Sequence, residues 1–390
     1  LGVVVAPTAC HPCGVDPSAI TIPSELLPAD GRFGCGPSKV RGEQITAISD
    51  AATTIMGTSH RQAPVKDLVG NVRSGLTELF GLPDGWEIIL GNGGSTMFWD
   101  AATFGLINSR SQHLVFGEFS SKFADAASSA PHLDQPTVIS TEPGDHPTAV
   151  AEEGVDLYAL THNETSTGVS MHLERPAGIA DDALVAVDAT SAAGGLSWQP
   201  SEVDVYYFAP QKSFASDGGL WIAACSPIAV DRIEQIAASD RWRPAALDLG
   251  IALSNSRLNQ TYNTPALTTL IMLNAQIEWM LGNGGAAWVA DRVATSASTI
   301  YGWAETHSLA TPFVNDPAKR SHVVATIDLD NSIEATVVSA VLRAHGIVDT
   351  DSYRKLGRNQ LRVGMFPAID PADIERLTTC IDHVMEQLTS

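Results

Sequence analysis

Short apolar runs alternate with segments of helical periodicity along much of the chain, and this alternation restricts the fold more than any other feature. Each run is followed by a turn rich in glycine or small polar residues. Continuous apolar runs of four or five residues are typical of parallel strands buried on both faces. They are WEIIL (86–90), HLVF (113–116), LYAL (157–160), LVAV (184–187) and VYYFA (205–209). The pattern predicts an α/β fold whose mostly parallel sheet is flanked by helices, with GLWIAACS (219–226) as a further strand.

A second pattern follows a glycine-rich break at GNGG (282–285). Beyond a long helix over 286–306, strands and helices alternate in a shorter series that predicts a compact α+β unit. The series comprises strands over 322–329 and 361–366 and helices over 335–346 and 372–388. We therefore expect three parts: an N-terminal segment (1–41) that packs on the small unit, a large domain (42–284) and a small C-terminal domain (285–390).

The charge of the chain disfavours two classes of partner. There are 23 Lys and Arg against 44 Asp and Glu, a formal net charge of -21. Such a surface repels nucleic acid phosphates and anionic lipid, so we expect neither as a partner. No apolar run approaches the roughly 18 to 20 residues that span a bilayer. LGVVVA (1–6) is too short for a signal-peptide core and lacks a basic flank, so we expect a cytoplasmic protein.

The five cysteines do not suggest a disulfide framework, because their number is odd and only Cys10 and Cys13 are close together. The CHPC pair suits a redox or metal site. However, no second Cys pair or His pair follows at a spacing that would complete a metal site. We expect a flexible leader there and no metal.

Polar residues directly after the strands are the candidates for chemistry, because ligands of parallel sheets gather beyond the carboxyl ends of the strands. Lys212 follows the run VYYFA. In a partly dry site the pKa of its amine would fall, and the neutral amine would be a nucleophile. Taken alone, however, this residue is more simply explained as a solvated loop lysine. Asp188 ends LVAV and suits either the protonated ring nitrogen of pyridoxal phosphate or a helix cap. GNGGST (91–96) offers backbone amides and the hydroxyls of Ser95 and Thr96 to a phosphate.

A phosphate cradle, an aspartate and a lysine, each following a strand and in that order, are together more specific than any one of them. Their order resembles the fold type I enzymes that use pyridoxal phosphate. From about Gly31 onward the chain also resembles the phosphoserine aminotransferases, in particular the actinobacterial branch through RKLGRNQLRVGMF (354–366). The other segments that carry the resemblance are FGCGPSKV (33–40), GTSHRQ (57–62), NETSTG (163–168), APQK (209–212) and YNTPA (262–266).

The resemblance implies a large domain with a mostly parallel seven-stranded sheet, a smaller C-terminal α+β domain and the cofactor pyridoxal 5'-phosphate. It also implies a ping-pong transfer of the amino group of L-glutamate to 3-phosphohydroxypyruvate, with O-phospho-L-serine and 2-oxoglutarate as products. The pocket would also suit 4-phosphohydroxythreonine of pyridoxine biosynthesis, which is one carbon longer.

By the same resemblance, Lys212 forms the Schiff base with the cofactor and moves the proton between substrate and cofactor. Asp188 pairs with the pyridine nitrogen, and Phe119 stacks on the ring, although a core aromatic residue is its default explanation. The other implied contacts are Ser95, Thr96, Thr165 and Gln211 of the same chain, and Asn263 and Thr264, which reach the partner's cofactor in a homodimer. NTP (263–265) is equally explained as a helix start with proline at its first position.

On the substrate side, Arg362 matches the arginine that binds the α-carboxylate as a planar bidentate pair, which lysine reproduces poorly. His60, Arg61 and Arg354 match the groups that receive the distal phosphate or carboxylate. The chain departs from the family pattern at three positions. Cys35, which is expected at the substrate carboxylate, replaces the usual serine. Thr96 replaces an arginine that some members have, and Tyr353 replaces a histidine that is found in other branches. We therefore expect phosphate selectivity to depend more on His60, Arg61 and Arg354.

Other functions on the same fold remain open. A cysteine desulfurase-like lyase needs a reactive cysteine on a mobile loop, which neither Cys225 in a predicted strand nor Cys380 on a predicted helix suits. A serine or alanine–glyoxylate type of aminotransferase is a further alternative. A non-catalytic binding module would be expected to lack Lys212 or Arg362, and both are present.

Overall fold

The structure is a computed structural model that describes residues 17–389. The strands in that range are β1 (Glu87–Gly93), β2 (Ser111–Val115), β3 (Thr137–Ser140), β4 (Leu157–Thr161), β5 (Asn163–Glu164), β6 (Val169–Ser170), β7 (Leu184–Asp188), β8 (Val205–Phe208), β9 (Gly219–Cys225), β10 (Ala310–Pro312), β11 (Val324–Leu329) and β12 (Gln360–Gly364). The α-helices are α1 (Gly42–Asp50), α2 (Ala63–Phe80), α3 (Ser95–Gly105), α4 (Glu118–Ser129), α5 (Pro227–Ala237), α6 (Leu249–Arg257), α7 (Leu267–Gly282), α8 (Gly285–Thr306), α9 (Ala335–Ala344) and α10 (Pro371–Thr389).

Seven strands form one sheet in the order β1, β9, β8, β7, β4, β2, β3. The pairs from β8 to β3 are parallel, whereas β9 pairs antiparallel with both β1 and β8. The predicted mostly parallel sheet is therefore confirmed. The reversed strand is the one that returns from the loop after Lys212.

Helices cover both faces of this sheet, because alternate side chains of a strand point to opposite faces. Val185 and Tyr206 belong to a core that includes residues of α2 and α7. Their neighbours Leu184 and Tyr207 belong to a core with residues of α3, α4, α5 and α6. Each fully buried large apolar side chain contributes about 1.5 to 3 kcal/mol, so the continuous apolar runs predicted from the sequence are explained by two separate cores.

The smaller unit consists of the antiparallel sheet β10–β11–β12 and a core that includes residues of α8, α9 and α10. Ile20, Ile22 and Phe33 pack in this second core. The described part of the N-terminal segment therefore lies against the smaller unit. The limits 1–41, 42–284 and 285–390 stay a prediction, and Cys10 and Cys13 lie outside the described residues.

Two strands of the seven-stranded sheet differ most from the sequence prediction. Strand β1 continues through Gly93, because Gly91, Asn92 and Gly93 pair with β9, so much of the expected glycine-rich turn is strand. Strand β3 was not predicted because it is an edge strand with alternating intermediate and exposed residues and has no continuous apolar run. Neither difference changes the positions at which β4, β7 and β8 end.

No helix within residues 17–389 has the length and apolar character needed to cross a membrane. Over the same range, no cluster of three or more His, Cys, Asp or Glu side chains is arranged to hold a metal ion.

Candidate active site

A cavity of about 190 Å³ lies at the carboxyl ends of β4, β7 and β8. Asp188 is the last residue of β7, and Lys212 follows the end of the neighbouring parallel strand β8. Seven of the predicted cofactor residues line this cavity: Ser95, Thr96, Phe119, Thr165, Asp188, Gln211 and Lys212. The parallel sheet thus brings together side chains that are far apart in sequence, as expected for strand ends.

The Lys212 side chain is buried, with 7% of its surface exposed. Its Nζ donates hydrogen bonds to the backbone oxygen of Cys35 at 2.6 Å and to Thr165 Oγ1 at 3.2 Å. Burial lowers the pKa of Lys212 to about 8, and the positive charge of Arg362 acts in the same direction. A substantial fraction of the amine is therefore neutral near pH 8, as a nucleophile requires.

Gly36 makes room for this lysine. Its backbone has φ of 143°, and a Cβ at this position would lie 2.5 Å from Lys212 Nζ. Both the conformation and the contact exclude a larger residue. The glycine in FGCGP thus allows the N-terminal segment to close over the amine.

Asp188 is held in the cavity by neutral donors. Its Oδ1 accepts hydrogen bonds from Thr190 N at 2.9 Å and Thr190 Oγ1 at 2.6 Å, and its Oδ2 accepts one from Trp99 Nε1 at 3.1 Å. Burial raises the pKa of Asp188, which these hydrogen bonds oppose. A protonated pyridine nitrogen would supply the positive charge that this buried carboxylate lacks among its hydrogen-bond partners.

The side of the cavity that is formed by the start of α3 suits a phosphate. Ser95 and Thr96 are the first two residues of α3, and N–H groups in the first turn of a helix have no intrahelical acceptor. Ser95 Oγ lies 2.5 Å from Thr190 Oγ1, which ties this wall to the Asp188 loop. Gln211 Oε1 is buried without a hydrogen-bond partner, and rotation of the amide would present its N–H groups instead. Together with Asp188 and Lys212, these features fit pyridoxal phosphate.

Arg362 lines a second, larger cavity of about 570 Å³, together with Cys35 and Arg354. Arg362 Nη1 donates to the backbone oxygen of Thr165 at 3.3 Å, and its Nε is buried without a partner. The Arg362 guanidinium carbon lies 5.2 Å from the centroid of the Tyr353 ring. The arginine is therefore oriented by its neighbours while retaining donors for an anionic ligand.

His60 and Arg61 lie in a different cluster. His60 Nδ1 is 3.2 Å from Thr264 Oγ1, and Arg61 donates to Gln260 and to Asn255. None of His60, Arg61, Asn263 and Thr264 lines the two cavities that contain Lys212 and Arg362. Within one chain, the structure therefore does not join His60 and Arg61 to Arg354, as the expected distal-anion site requires.

Sequence reasoning missed several residues of the site. Trp99 and Thr190 line the cavity and hold Asp188. Asn163 also lines it, and its Oδ1 is buried without a partner. Trp99 follows Ser95 by four residues on α3 and so shares its helix face, which is a signal that could have identified it.

The described cysteines do not provide an exposed nucleophile. Cys35, Cys225 and Cys380 are all buried. Burial raises the pKa of the Cys35 thiol and that of Cys380, the latter to about 11. Within residues 17–389, these thiols are therefore poor candidates for the reactive cysteine of a desulfurase.

Comparison with known proteins gives a consistent result. A family model described as aminotransferase class-V matches residues 140–350. A phosphoserine aminotransferase of Rhodococcus jostii is 59% identical over 367 residues, which cover 94% of this chain and 98% of the relative.

Two solved structures have a similar fold. A phosphoserine aminotransferase of Cytophaga hutchinsonii superimposes with a TM-score of 0.81 at 22% identity, covering 90% of this chain and 99% of that one. A pyridoxal phosphate-bound phosphoserine aminotransferase of Trichomonas vaginalis gives a TM-score of 0.77 at 18% identity, covering 90% and 99%. The fold is therefore that of the fold type I aminotransferases.

Proposed function

The chain belongs to the phosphoserine aminotransferases within the class-V aminotransferases, and from this premise we propose how its residues transfer an amino group from L-glutamate to 3-phosphohydroxypyruvate. The products of that reaction are 2-oxoglutarate and O-phospho-L-serine. The observation that supports the proposal most strongly is that one cavity is lined by both Lys212 and Asp188. Hydrogen bonds join it to the cavity that Cys35 and Arg362 line, from Lys212 to Cys35 and from Arg362 to Thr165.

The residues of the cavity are well suited to hold pyridoxal phosphate. Lys212 would bind it covalently, Asp188 would pair with its ring nitrogen, and Phe119 would lie against its ring. Its phosphate would be held by Ser95, Thr96 and Gln211, and Thr165 would contact its ring hydroxyl. When bound, this cofactor carries the amino group between the two substrates and withdraws electrons from the reacting carbon.

Lys212 is the proposed acid–base group. Once the amino group of the substrate has displaced Lys212 from the cofactor, the neutral Nζ would remove the proton from the substrate Cα, and the resulting ammonium would return a proton later in the reaction. A pKa of about 8, lowered mainly by burial, keeps both protonation states accessible near neutral pH. Burial of the amine also limits the access of water to the reacting carbon.

Arg362 is the proposed ligand of the α-carboxylate that both substrates share. Its guanidinium can donate two parallel hydrogen bonds to a carboxylate. Cys35 borders the same cavity and would contact the carboxylate through its backbone or its thiol. Arg354, further along the cavity wall, would attract the distal phosphate, and in a chain of net charge -21 such a local cluster of cations is needed to draw in an anionic substrate.

We further propose a homodimer with composite sites. His60 and Thr264 are in contact, and Asn92 Nδ2 donates to the Thr264 oxygen at 3.0 Å, so Asn263 and Thr264 share a surface with His60 and Arg61. Since these residues are not lining their own chain's Lys212 cavity, they are free to serve the partner's site. In that arrangement Asn263 and Thr264 would reach the partner's cofactor phosphate, and His60 and Arg61 the distal anion of the partner's substrate.

A spectral titration tests the function. Purified protein with pyridoxal phosphate is expected to be yellow, and L-glutamate should shift the visible band as the amino group is taken up. 3-Phosphohydroxypyruvate should then restore the band at far lower concentration than pyruvate, and a 4-phosphohydroxythreonine arm measures the breadth of the site. A spectrum that glutamate leaves unchanged would contradict the proposed donor; equal responses to the two oxo acids would contradict the phosphate site.

A further inference from the structure

Glu164 is a buried carboxylate beside the Lys212 cavity whose role neither the motif nor the mechanism above explains. It is fully buried, with 0% of its surface exposed. Its Oε2 accepts hydrogen bonds from the backbone N–H groups of Phe119 at 3.1 Å and Ser120 at 2.9 Å. Its Oε1 accepts from Ser166 N at 3.1 Å and from Ser166 Oγ at 2.7 Å. Each carboxylate oxygen is thus engaged by two donors.

These bonds fix the start of α4. Phe119 and Ser120 lie in the first turn of that helix, where backbone N–H groups lack intrahelical acceptors and attract negative charge. Ser166 Oγ, which donates to Glu164, also accepts from Glu118 N at 3.1 Å. Three successive amides of α4 are therefore anchored to the segment 164–166, either directly or through one hydroxyl.

Close packing at Gly117 makes the arrangement tight. A Cβ on Gly117 would lie 2.3 Å from Glu164 Cγ and 2.6 Å from Ser166 Oγ. No side chain of larger size fits between the start of α4 and the carboxylate. The distance between the helix and the 164–166 segment is therefore set by direct contact of the backbone with Glu164.

The same segment reaches the reacting groups. Thr165, the residue after Glu164, accepts a hydrogen bond from Lys212 Nζ through its Oγ1 and one from Arg362 through its backbone oxygen. The ring of Phe119, whose N–H binds Glu164, has its centroid 5.6 Å from Lys212 Nζ. Through Phe119 and Thr165, the carboxylate of Glu164 is thus connected to the Lys212 amine and to Arg362.

We propose that Glu164 is a positioning residue for the transamination site: its carboxylate holds the start of α4 against the segment 164–166, so that Phe119 faces the cofactor cavity while Thr165 is held at Lys212 and Arg362. The inference rests on the proposed function, because it assumes that pyridoxal phosphate occupies this cavity. The charge of Glu164 also helps to raise the pKa of Lys212, together with Cys35 and Asp188 and against burial and Arg362.

The central variant is Glu164→Gln, which keeps the size of the side chain. A glutamine has one acceptor oxygen, so its NH₂ group would face N–H donors on one side and leave them unpaired. We expect pyridoxal phosphate to bind about tenfold or more weakly and the amides of residues 119 and 120 to exchange with deuterium faster in the protein without cofactor. Removal of the charge should also lower the midpoint pH at which the protein without cofactor captures pyridoxal phosphate.

Asp156→Asn is the matched control. Asp156 also accepts three backbone N–H bonds, from Asn108, Ser109 and Arg110, and it pairs in addition with Arg232 at 3.1 Å. It directly precedes β4 and so lies at the amino ends of the parallel strands, away from the cavity. This variant should lower stability without changing cofactor affinity or exchange at residues 119 and 120. Equal losses of cofactor affinity in the two variants, or wild-type affinity and exchange in Glu164→Gln, would overturn the proposal.

Ser166→Ala gives a second route if Glu164→Gln fails to fold. It removes one donor to Glu164 and the acceptor of Glu118 N while leaving the carboxylate in place. We expect a smaller but measurable weakening of cofactor binding and faster exchange at residue 118, the amide that loses its acceptor; wild-type values for both would overturn the proposal. Failure of the proposed function is distinguishable, because it would appear in the spectral titration of the wild-type protein with L-glutamate and 3-phosphohydroxypyruvate, whereas the role of Glu164 is tested by the difference between variant and wild type in cofactor affinity and amide exchange.

Discussion

Lys212 Nζ donates a 2.6 Å hydrogen bond to the backbone oxygen of Cys35, a residue 177 positions earlier in the chain. The bond joins the loop after β8 to the N-terminal segment, which packs partly in the core of the smaller unit. The reactive amine is thus enclosed by two parts of the fold at once. Its burial, and with it the lowered pKa, depends on that closure.

The pKa of Lys212 gives a prediction about pH. Because burial lowers this pKa to about 8, the fraction of neutral amine rises through that pH. We expect the rate at which the protein without cofactor captures pyridoxal phosphate to rise between pH 7 and pH 9 with a midpoint near 8, measured by stopped-flow absorbance. A midpoint near 10.5, the ordinary lysine value, would indicate an exposed amine. Lys212→Ala serves as the control, and it should form no covalent bond to the cofactor and be inactive; retained turnover would contradict the mechanism.

The effects of Asp188 and Trp99 on activity should be distinguishable by mutation. Asp188→Asn preserves the size of the side chain but removes the charge that would pair with the ring nitrogen, so kcat should fall by about a hundredfold or more while the cofactor is retained. Trp99→Phe keeps an aromatic ring but removes the Nε1 donor, which lies 3.1 Å from Asp188 Oδ2 and 3.1 Å from the Tyr207 hydroxyl. Loss of the bond to Asp188 raises the pKa of that carboxyl further, and the change should lower kcat about tenfold. Steady-state kinetics with both substrates checks the order of the two effects, and a larger loss in Trp99→Phe would contradict it.

Tyr353 is expected to position Arg362 through its ring. The guanidinium carbon lies 5.2 Å from the ring centroid, within the range of a cation–π contact worth about 0.5 to 2 kcal/mol. Tyr353→Ala should therefore raise KM for L-glutamate and for 3-phosphohydroxypyruvate about threefold to thirtyfold with little change in kcat. Tyr353→Phe keeps the ring and should behave like the wild type. If the phenylalanine variant is as impaired as the alanine variant, the hydroxyl and not the ring is responsible.

The sequence predicts the residues of this site whose position follows from the sheet. Asp188 and Lys212 stand at the ends of continuous apolar runs, and the parallel order of β7 and β8 brings them together. The phosphate cradle was predicted in the same way, although β1 extends further into it than expected because it pairs with β9. For these residues, local pattern and topology together are sufficient.

Other residues of the site depend on contacts that leave no local signature. Trp99 reaches Asp188 across 89 positions and Glu164 reaches Phe119 N across 45. Their side chains are ordinary members of a helix and of a short strand until the tertiary fold is formed. The separation of His60 and Arg61 from Arg354 is likewise a result of packing against the segment 255–264. No periodicity in the sequence encodes it.

Two buried histidines should make the protein sensitive to acid. Burial lowers the pKa values of His113 and His162 to about 3, below the ordinary value of 6.5. The folded state therefore holds both histidines neutral. The stability that this neutral form contributes is fully present above pH 6.5 and is lost as the pH falls from 6.5 toward 3. We expect the free energy of unfolding to fall by up to about 1.4 kcal/mol per pH unit for each histidine below pH 6.

Urea unfolding at several pH values measures this slope. His113→Gln, which can still bond to Ser111 Oγ, the present partner of His113 at 2.9 Å, should reduce the slope by one proton. An unchanged slope in this variant would assign the acid sensitivity to other groups.

Mixed dimers test whether each site is built from two chains. The proposal places Lys212 and Arg362 in one subunit, linked through Thr165, and Arg61 with the surface of Asn263 and Thr264 in the other. As a homodimer, Arg61→Ala should raise KM for 3-phosphohydroxypyruvate far more than for pyruvate, since only the former carries the phosphate. Lys212→Ala homodimers should be inactive with both substrates.

When the two variants are co-expressed and the mixed dimer is purified through two different tags, one site regains Lys212 from one chain and Arg61 from the other. We therefore expect wild-type KM for the phosphorylated substrate to return in the mixed dimer.

The matched control pairs Lys212→Ala with Arg362→Ala. If Arg362 acts on the Lys212 of its own chain, no site in that mixed dimer contains both residues, and KM for the phosphorylated substrate should remain high. Recovery in the first pair without recovery in the second therefore assigns Arg61 to the partner's site and Arg362 to its own. Absence of recovery in the first pair would mean that Arg61 serves its own chain, and the 55–61 segment would then have to move away from Asn255, Gln260 and Thr264 to reach the substrate.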